Sequence, residues 1–372
     1  MHLAEYLALR PVPAAGVVLS LTGRCTLRCA HCSTDSTGAG TDLPAGELVR
    51  FAAGFGSRAA GRDAVGVCAP AGARASDNAP VPPVPPAVAL LTGGEPLLRP
   101  RLVRELADLC RESGTATFLL TGMFYARAAR VPAPVAAALD AVDHVSASLD
   151  RFHEAEVPRE AVFRALRELL DRGKDVSLHL LASDGDDPYP DETAAAVRRE
   201  FGDRVPMLVG RLAPVGRART LLFAARGRTP DLPAPASDAG PCAMAAWPVV
   251  GPDGTVTACC NQDVLDLRPV PPHLLLGHVG RDDWSEIRSR TLGSPALRAI
   301  RTLGAGSCAR CRELRGTEPR TDALAAVLEG PVRQLQARAG AAGFARRYGS
   351  ARHADLVLLG AAADPGAAPC AG

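Results

Sequence analysis

At 372 residues, 47% apolar and 22% charged, the chain has the composition of a globular protein with one large core or two ordinary ones, not of a disordered segment. A net charge of +2 without a basic run argues against a nucleic-acid surface, and no apolar run approaches the length of a membrane span. Eleven cysteines, an odd number, behind an N-terminus without a basic-then-apolar signal predict metal ligation in a reducing, cytoplasmic setting rather than a disulfide framework.

In chain order, residues 1–16 read as a short lead-in. Val17-Val18-Leu19-Ser20-Leu21, bounded by Gly16 and Gly23, predicts a buried strand, and the loop after it holds Cys25, Cys29 and Cys32. Leu43 to Phe55 has helical spacing, and 57–87, rich in Ala, Gly and Pro, reads as an exposed insertion. Strands over 88–92, 115–121, 144–149, 176–181 and 205–212 then alternate with helices over 101–111, 134–140, 160–171 and 191–201. Six strands interleaved with helices predict an α/β fold with a parallel sheet, too few for a closed eightfold barrel and suited to an open one. In such sheets the working loops lie at the carboxyl ends of the strands. Residues 216–241 read as a connector. Trp247 to Val250 and Thr255 to Ala258 flank Gly251-Pro252-Asp253-Gly254, a hairpin signal, and Trp284, Ile287, Leu292, Leu297 and Ile300 mark helices beyond it. A helix over 322–339 leads into an Ala/Gly-rich tail. The expected domains are a barrel over 1–235, a small cysteine-rich unit over 236–315 and a helical and loose tail over 316–372.

Three thiols in one tight loop fall one short of the four ligands of a structural zinc site, and only His31 is close enough in sequence to add a fourth. A four-iron cube takes one thiolate per iron, so three leave an iron open to a small ligand. Thr92-Gly93-Gly94-Glu95-Pro96 follows the second strand. Adjacent glycines let a backbone approach a ligand, their carbonyls accept from an ammonium group, and Glu95 adds a complementary charge. Alternation along the fourth strand sends Ser146, Ser148 and Asp150 to one face, where buried polar groups need partners. Arg151, His153 and Glu154 follow at the mouth, and Asp150 and His153 are the candidate catalytic groups. Cys242, one of the adjacent Cys259 and Cys260, and the closing Cys308-x2-Cys311 supply four further ligands, for a second iron–sulfur cluster or a zinc ion. Neighbouring strand residues point opposite ways, so Cys259 and Cys260 are alternatives.

The spacing Cys25-x3-Cys29-x2-Cys32, with His31 before the last thiol, resembles that of the radical S-adenosylmethionine (radical SAM) enzymes. Gly93-Gly94-Glu95-Pro96, about 60 residues on at the next strand end, is similar to their Gly-Gly-Glu-Pro motif. The resemblance covers roughly 17–311 and implies a partial (β/α)6 TIM-like barrel. It also implies a [4Fe–4S] cluster on Cys25, Cys29 and Cys32 whose open iron takes S-adenosylmethionine. Gly93, Gly94 and Glu95 would meet the methionine amino group, Ser146 and Ser148 the ribose and methionine, and His31 would lie beside the cofactor. Leu212 and Pro214 would pack beneath the adenine, with Arg217 as a substrate contact. The later cysteines resemble the shortened, single-cluster (twitch) form of the SPASM domain, implying an auxiliary [4Fe–4S] cluster on Cys242, Cys259 or Cys260, Cys308 and Cys311. The implied reaction is reductive cleavage of S-adenosylmethionine to a 5′-deoxyadenosyl radical that takes a hydrogen atom from substrate, with electrons from a partner such as flavodoxin or ferredoxin. The leading expectation is maturation of ribosomal peptides by crosslinking, thioether formation or epimerisation, with a separate protein recognising the peptide. Alcohol oxidation in aminoglycoside-type synthesis is the alternative small-molecule expectation, and a non-catalytic iron–sulfur or zinc scaffold is the third.

Overall fold

The computed structural model describes residues 1–56, 84–226, 241–303, 311 and 340–360. Most of the 57–87 insertion, Cys308, the helix expected over 322–339 and Cys370 lie outside the described residues.

Six parallel strands form the centre: β1 (Gly16–Ser20), β2 (Val88–Thr92), β3 (Ala116–Thr121), β4 (His144–Ser148), β5 (Asp175–Ala182) and β6 (Met207–Arg211). Each pairs with the next in sequence, so the sheet runs β1 to β6 without a crossover in strand order. Helices α2 (Ala45–Ala53), α3 (Pro100–Ser113), α4 (Ala133–Ala141), α6 (Arg159–Asp171) and α7 (Tyr189–Phe201) make the crossovers, and a single turn, α5 (Arg151–Glu154), follows β4. This is the expected partial (β/α)6 barrel. Its strands read as apolar runs because helices cover the sheet; Val17, Leu19, Leu91, Leu119 and Val145 are fully buried. In α3, Leu102, Val103, Leu106, Ala107 and Cys110 recur at helical spacing on the buried side, and Gly114, at φ 75°, ends the helix in a left-handed cap. Cys110 is a core residue, and burial pushes its thiol up to about 12.

Three regions depart from expectation. The lead-in holds a helix, α1 (Leu3–Leu9), closed by a reciprocal cap between His2 and Glu5. Its Tyr6 stacks on Phe118 of β3 with ring centroids 4.1 Å apart, so the helix seals one side of the barrel. The stretch read as a connector opens with a helix, α8 (Arg217–Arg226); its sequence RARTLLFAAR consists of helix formers without a breaker. The hairpin forms as expected from β7 (Val249–Val250) and β8 (Thr255–Thr257), but it also joins the main sheet. Val18 and Leu19 of β1 pair in parallel with β7, and a further strand, β9 (Leu275–His278), extends the edge. Gly16 makes this possible, because a Cβ there would lie 2.6 Å from the Trp247 ring. Helices α9 (Gln262–Leu265), α10 (Trp284–Gly293) and α11 (Pro295–Thr302) follow. At the other edge, helical residues 340–348 and the segment Ala351–Leu358 cover β6, with Ser350 donating to the Val209 carbonyl at 2.7 Å. No helix among the described residues is long and apolar enough to cross a membrane.

Candidate functional site

The loops at the carboxyl ends of β1 to β6 gather on one side, and the cysteine loop is fixed among them by backbone contacts. Gly94 and Glu95 donate to the carbonyls of Thr22 and Arg24 at 2.7 and 2.8 Å. Gly93 stands at φ 140°, and a Cβ there would lie 2.4 Å from the Thr22 oxygen; one on Gly94 would lie 2.3 Å from that of Arg24. The glycine pair is therefore required where the end of β2 lies directly against the chain leaving β1. That close approach, rather than ligand access alone, explains the two glycines.

Cys29 is buried, and Cys25 and Cys32 are half-buried. Burial pushes the Cys25 thiol up to about 11; a backbone N–H from Leu27 opposes this, and Glu95 and the other two thiols reinforce it. A buried thiol so raised becomes thiolate most readily beside a compensating cation, and three thiols on one loop are the donor chemistry of an iron–sulfur or zinc centre. Arg217, expected as a substrate contact, lines the cleft and also holds this loop. Its N–H meets the Cys32 carbonyl at 2.9 Å, Nε donates to Cys29 O at 3.1 Å, and Nη1 donates to Ser36 O at 2.8 Å. The guanidinium clamps the cysteine loop.

Glu95 is fully buried and caps the short turn after β2. Its oxygens accept from Leu97 N at 3.0 Å, Gly122 N at 2.9 Å and the Thr121 hydroxyl at 2.9 Å. Burial raises its carboxyl to about 7, with those same donors opposing the rise. The carboxylate thus ties the Gly93-Gly94 turn to the end of β3.

Beyond β4, Asp150 Oδ1 caps α5 through the N–H groups of Phe152 and His153 at 2.9 and 3.0 Å. Its Oδ2 meets His153 Nδ1 at 2.8 Å and His31 Nε2 at 3.1 Å. Burial works against the charged aspartate, but the two imidazoles hold it well below the usual carboxylate range. His153 is pushed up to about 10: burial opposes its charge, and hydrogen bonds to Asp150 and Cys29 outweigh that. Among the described residues, His31, Asp150 and His153 are the group that brings three ligand atoms within 4.8 Å of one another, so they also fit a single ion. The thiols form no such group; a cube spreads its thiolates over separate irons and holds them farther apart.

These pieces line one cleft of about 200 Å³, including Cys25, Cys29, Cys32, His31, Gly93, Gly94, Glu95, Ser148, Asp150 and His153. Ser146 belongs to the neighbouring cavity inside the barrel, where its hydroxyl accepts from Ser177 at 3.0 Å. Leu212 and Pro214 line neither; Gly210, Arg211 and Val215 line the interior cavity instead. His179 of β5 lines both, and burial pushes it down to about 4. Sequence reading passed over it because one histidine in an apolar strand leaves no pattern.

Of the second cysteine set, Cys242, Cys259 and Cys311 pack against the main core, and Cys260 packs against the smaller cluster around Trp247. Adjacent residues at the end of β8 thus face opposite ways, with Cys259 on the side of Cys242 and Cys311. Cys308, the fourth expected ligand, is outside the described residues.

No family model and no curated protein matches the chain. Among solved structures, it is similar to SuiB of Streptococcus suis bound to the precursor peptide SuiA, at 12% identity and a TM-score of 0.48, over 75% of this chain and 65% of that one. It is likewise similar to SuiB bound to S-adenosylmethionine, at 12% identity and a TM-score of 0.45, over 76% of this chain and 66% of that one. The chain spans just under two thirds of the length of those structures.

Proposed function

We propose that this chain is a radical SAM enzyme with its reaction centre in the cleft above Cys25, Cys29 and Cys32. The observation that supports this is convergence: three thiols, the Gly93-Gly94 turn and Ser148 meet at the carboxyl ends of one parallel sheet. When bound, a [4Fe–4S] cluster and S-adenosylmethionine would supply the reducing electron and the 5′-deoxyadenosyl radical that removes a hydrogen atom from substrate.

The chain's own part is positioning. Cys25, Cys29 and Cys32 would hold the cluster, whose open coordination site would take the cofactor. The backbone of Gly93 and Gly94 offers carbonyls to the methionine ammonium, and Glu95 keeps that turn in place through Thr121 and Gly122. Ser148 offers a hydroxyl to the ribose. Asp150 orients His153 and His31, and His153 donates toward Cys29, where hydrogen bonds to a ligand sulfur tune the potential. Cys242, Cys259, Cys308 and Cys311 would hold an auxiliary cluster of the twitch type. We assign a ribosomally made peptide as substrate class on the resemblance of this two-centre layout, with a separate recognition protein and a flavodoxin or ferredoxin as partners.

The test is anaerobic reconstitution with iron and sulfide, followed by dithionite and S-adenosylmethionine. The wild type should release 5′-deoxyadenosine, and the variant with Cys25, Cys29 and Cys32 all changed to Ala should release none. Release by that variant refutes the assignment.

A further inference from the structure

Arg10, just past α1, carries its guanidinium into the protein, where the residue is 5% exposed. The guanidinium carbon sits 4.5 Å from the centroid of the Trp247 ring. Nη2 lies 3.6 Å from the Cys260 sulfur and 3.8 Å from that of Met244. Nη1 is buried with no hydrogen-bond partner. Among the described residues its hydrogen-bond and ring partners are thus two sulfurs and an indole, with the buried Tyr6 also within its electrostatic reach, and no ion pair to a carboxylate forms. A guanidinium is always charged and carries five donors. Burying one with only weak sulfur acceptors is costly, and a ring face offsets only part of that cost.

The space Arg10 faces is a cavity of about 460 Å³ inside the barrel. That is the size of a small-ligand site. Leu7, Val18, Leu90, Phe118 and Leu208 line it, so a largely apolar chamber carries the buried guanidinium of Arg10 in its wall, while the other lining arginine, Arg211, is exposed. It shares Thr92, Gly93, His179 and Leu181 with the cleft above the cysteine loop, so the two spaces adjoin.

We propose that this chamber binds an organic carboxylate, with Arg10 as the counter-charge and the apolar wall taking the carbon chain. Such a ligand completes the Nη1 donor that the described residues leave unpaired, and it extends from Arg10 toward Gly93. The inference that this carboxylate belongs to the substrate rests on the proposed reaction centre; the binding itself does not. The carboxylate comes either from a small acid or from a side chain of a peptide.

The experiment is calorimetric titration of the full chain, without reductant or S-adenosylmethionine, using hexanoate and its neutral counterpart hexanamide. Hexanoate should bind roughly tenfold or more tightly than hexanamide. Arg10→Met should erase the difference, and Arg10→Lys should keep part of it. N-acetyl-glutamate N-methylamide puts the same charge on a peptide unit; tighter binding than hexanoate assigns a peptide, and weaker binding assigns a small acid. Equal or absent binding of hexanoate and hexanamide to the wild type overturns the proposal without recourse to a variant. A charge preference that survives in folded Arg10→Met overturns it as well. A protein that shows the preference yet forms no 5′-deoxyadenosine refutes the reaction and leaves this site standing.

Discussion

Replacing Arg217 with Met separates two roles for this residue, clamp of the cysteine loop and contact to substrate. The substitution keeps the apolar stem and the backbone bond to Cys32, and it removes the donors to Cys29 O and Ser36 O. Hydrogen bonds from a charged donor are worth about 1.5–3 kcal/mol each when buried. The Arg217 side chain is 26% exposed, so solvent screening lowers that figure, and the bond to the exposed Asp35 adds little. We expect the loop over 25–36 to lose about 2–3 kcal/mol of local stability. At tenfold per 1.4 kcal/mol, its amides should exchange with solvent roughly 30- to 150-fold faster, with the barrel strands unchanged. Hydrogen exchange on the metal-free chain measures this directly and involves no cofactor. Unaltered exchange across the loop, together with weakened substrate binding, would refute the clamp and restore the substrate contact.

Glu95→Ala leaves the Thr121 hydroxyl and the N–H groups of Leu97 and Gly122 without their acceptor, so stability should fall on the order of 3 kcal/mol and S-adenosylmethionine should bind about tenfold more weakly. Unchanged urea midpoint and affinity would show that the carboxylate is a bystander. His144, pushed down to about 3 chiefly by burial, stays neutral in the fold while the unfolded chain takes up a proton near the ordinary 6.5. Its stabilising contribution is complete above that pH and is lost as pH falls from 6.5 toward 3, at up to about 1.4 kcal/mol per unit. Urea titrations at pH 7 and 5 should therefore show a steeper loss in wild type than in His144→Gln; parallel losses would remove His144 as the cause. For the second cysteine set, anaerobic reconstitution should give about eight irons in wild type and in Cys260→Ala, and about four in Cys259→Ala. About four irons plus one zinc in wild type would make that site a zinc centre.

The barrel was legible because its signals are local and repeated. Apolar runs of strand length alternate with helical spacing, and strand pairing in sequence order needs no information beyond that alternation. Some misses are contacts between distant residues, others are local. The hairpin's place beside β1 depends on Trp247 lying where Gly16 has no side chain, a fit between positions 231 residues apart that no window of sequence contains. The start of α8 was hidden because Pro214 and Gly216 mark a loop, while the helix-forming run begins at the very next residue.

The site divides along the same line. Cys25, Cys29, Cys32, Gly93, Gly94 and Ser148 were found because each sits at a strand end in a spaced motif, and the fold brings all of them to one cleft. The fold adds a structural role to two of the expected contacts. Glu95 carries the right charge for an ammonium group, yet its oxygens already serve Leu97, Thr121 and Gly122, so its influence on a ligand passes through the turn it braces. Arg217 has the right charge for an anionic substrate, and its Nε and Nη1 also bond the Cys29 and Ser36 carbonyls and the Asp35 carboxylate. Arg10 is the converse case: nothing in residues 1–16 marks it, and only the fold shows a guanidinium shut inside the barrel with a donor left over. A charged residue indicates a ligand when its hydrogen bonds cannot be accounted for within the fold. By that criterion Arg10 is one place of unmet electrostatic demand among the described residues, beside the cleft where the thiols converge.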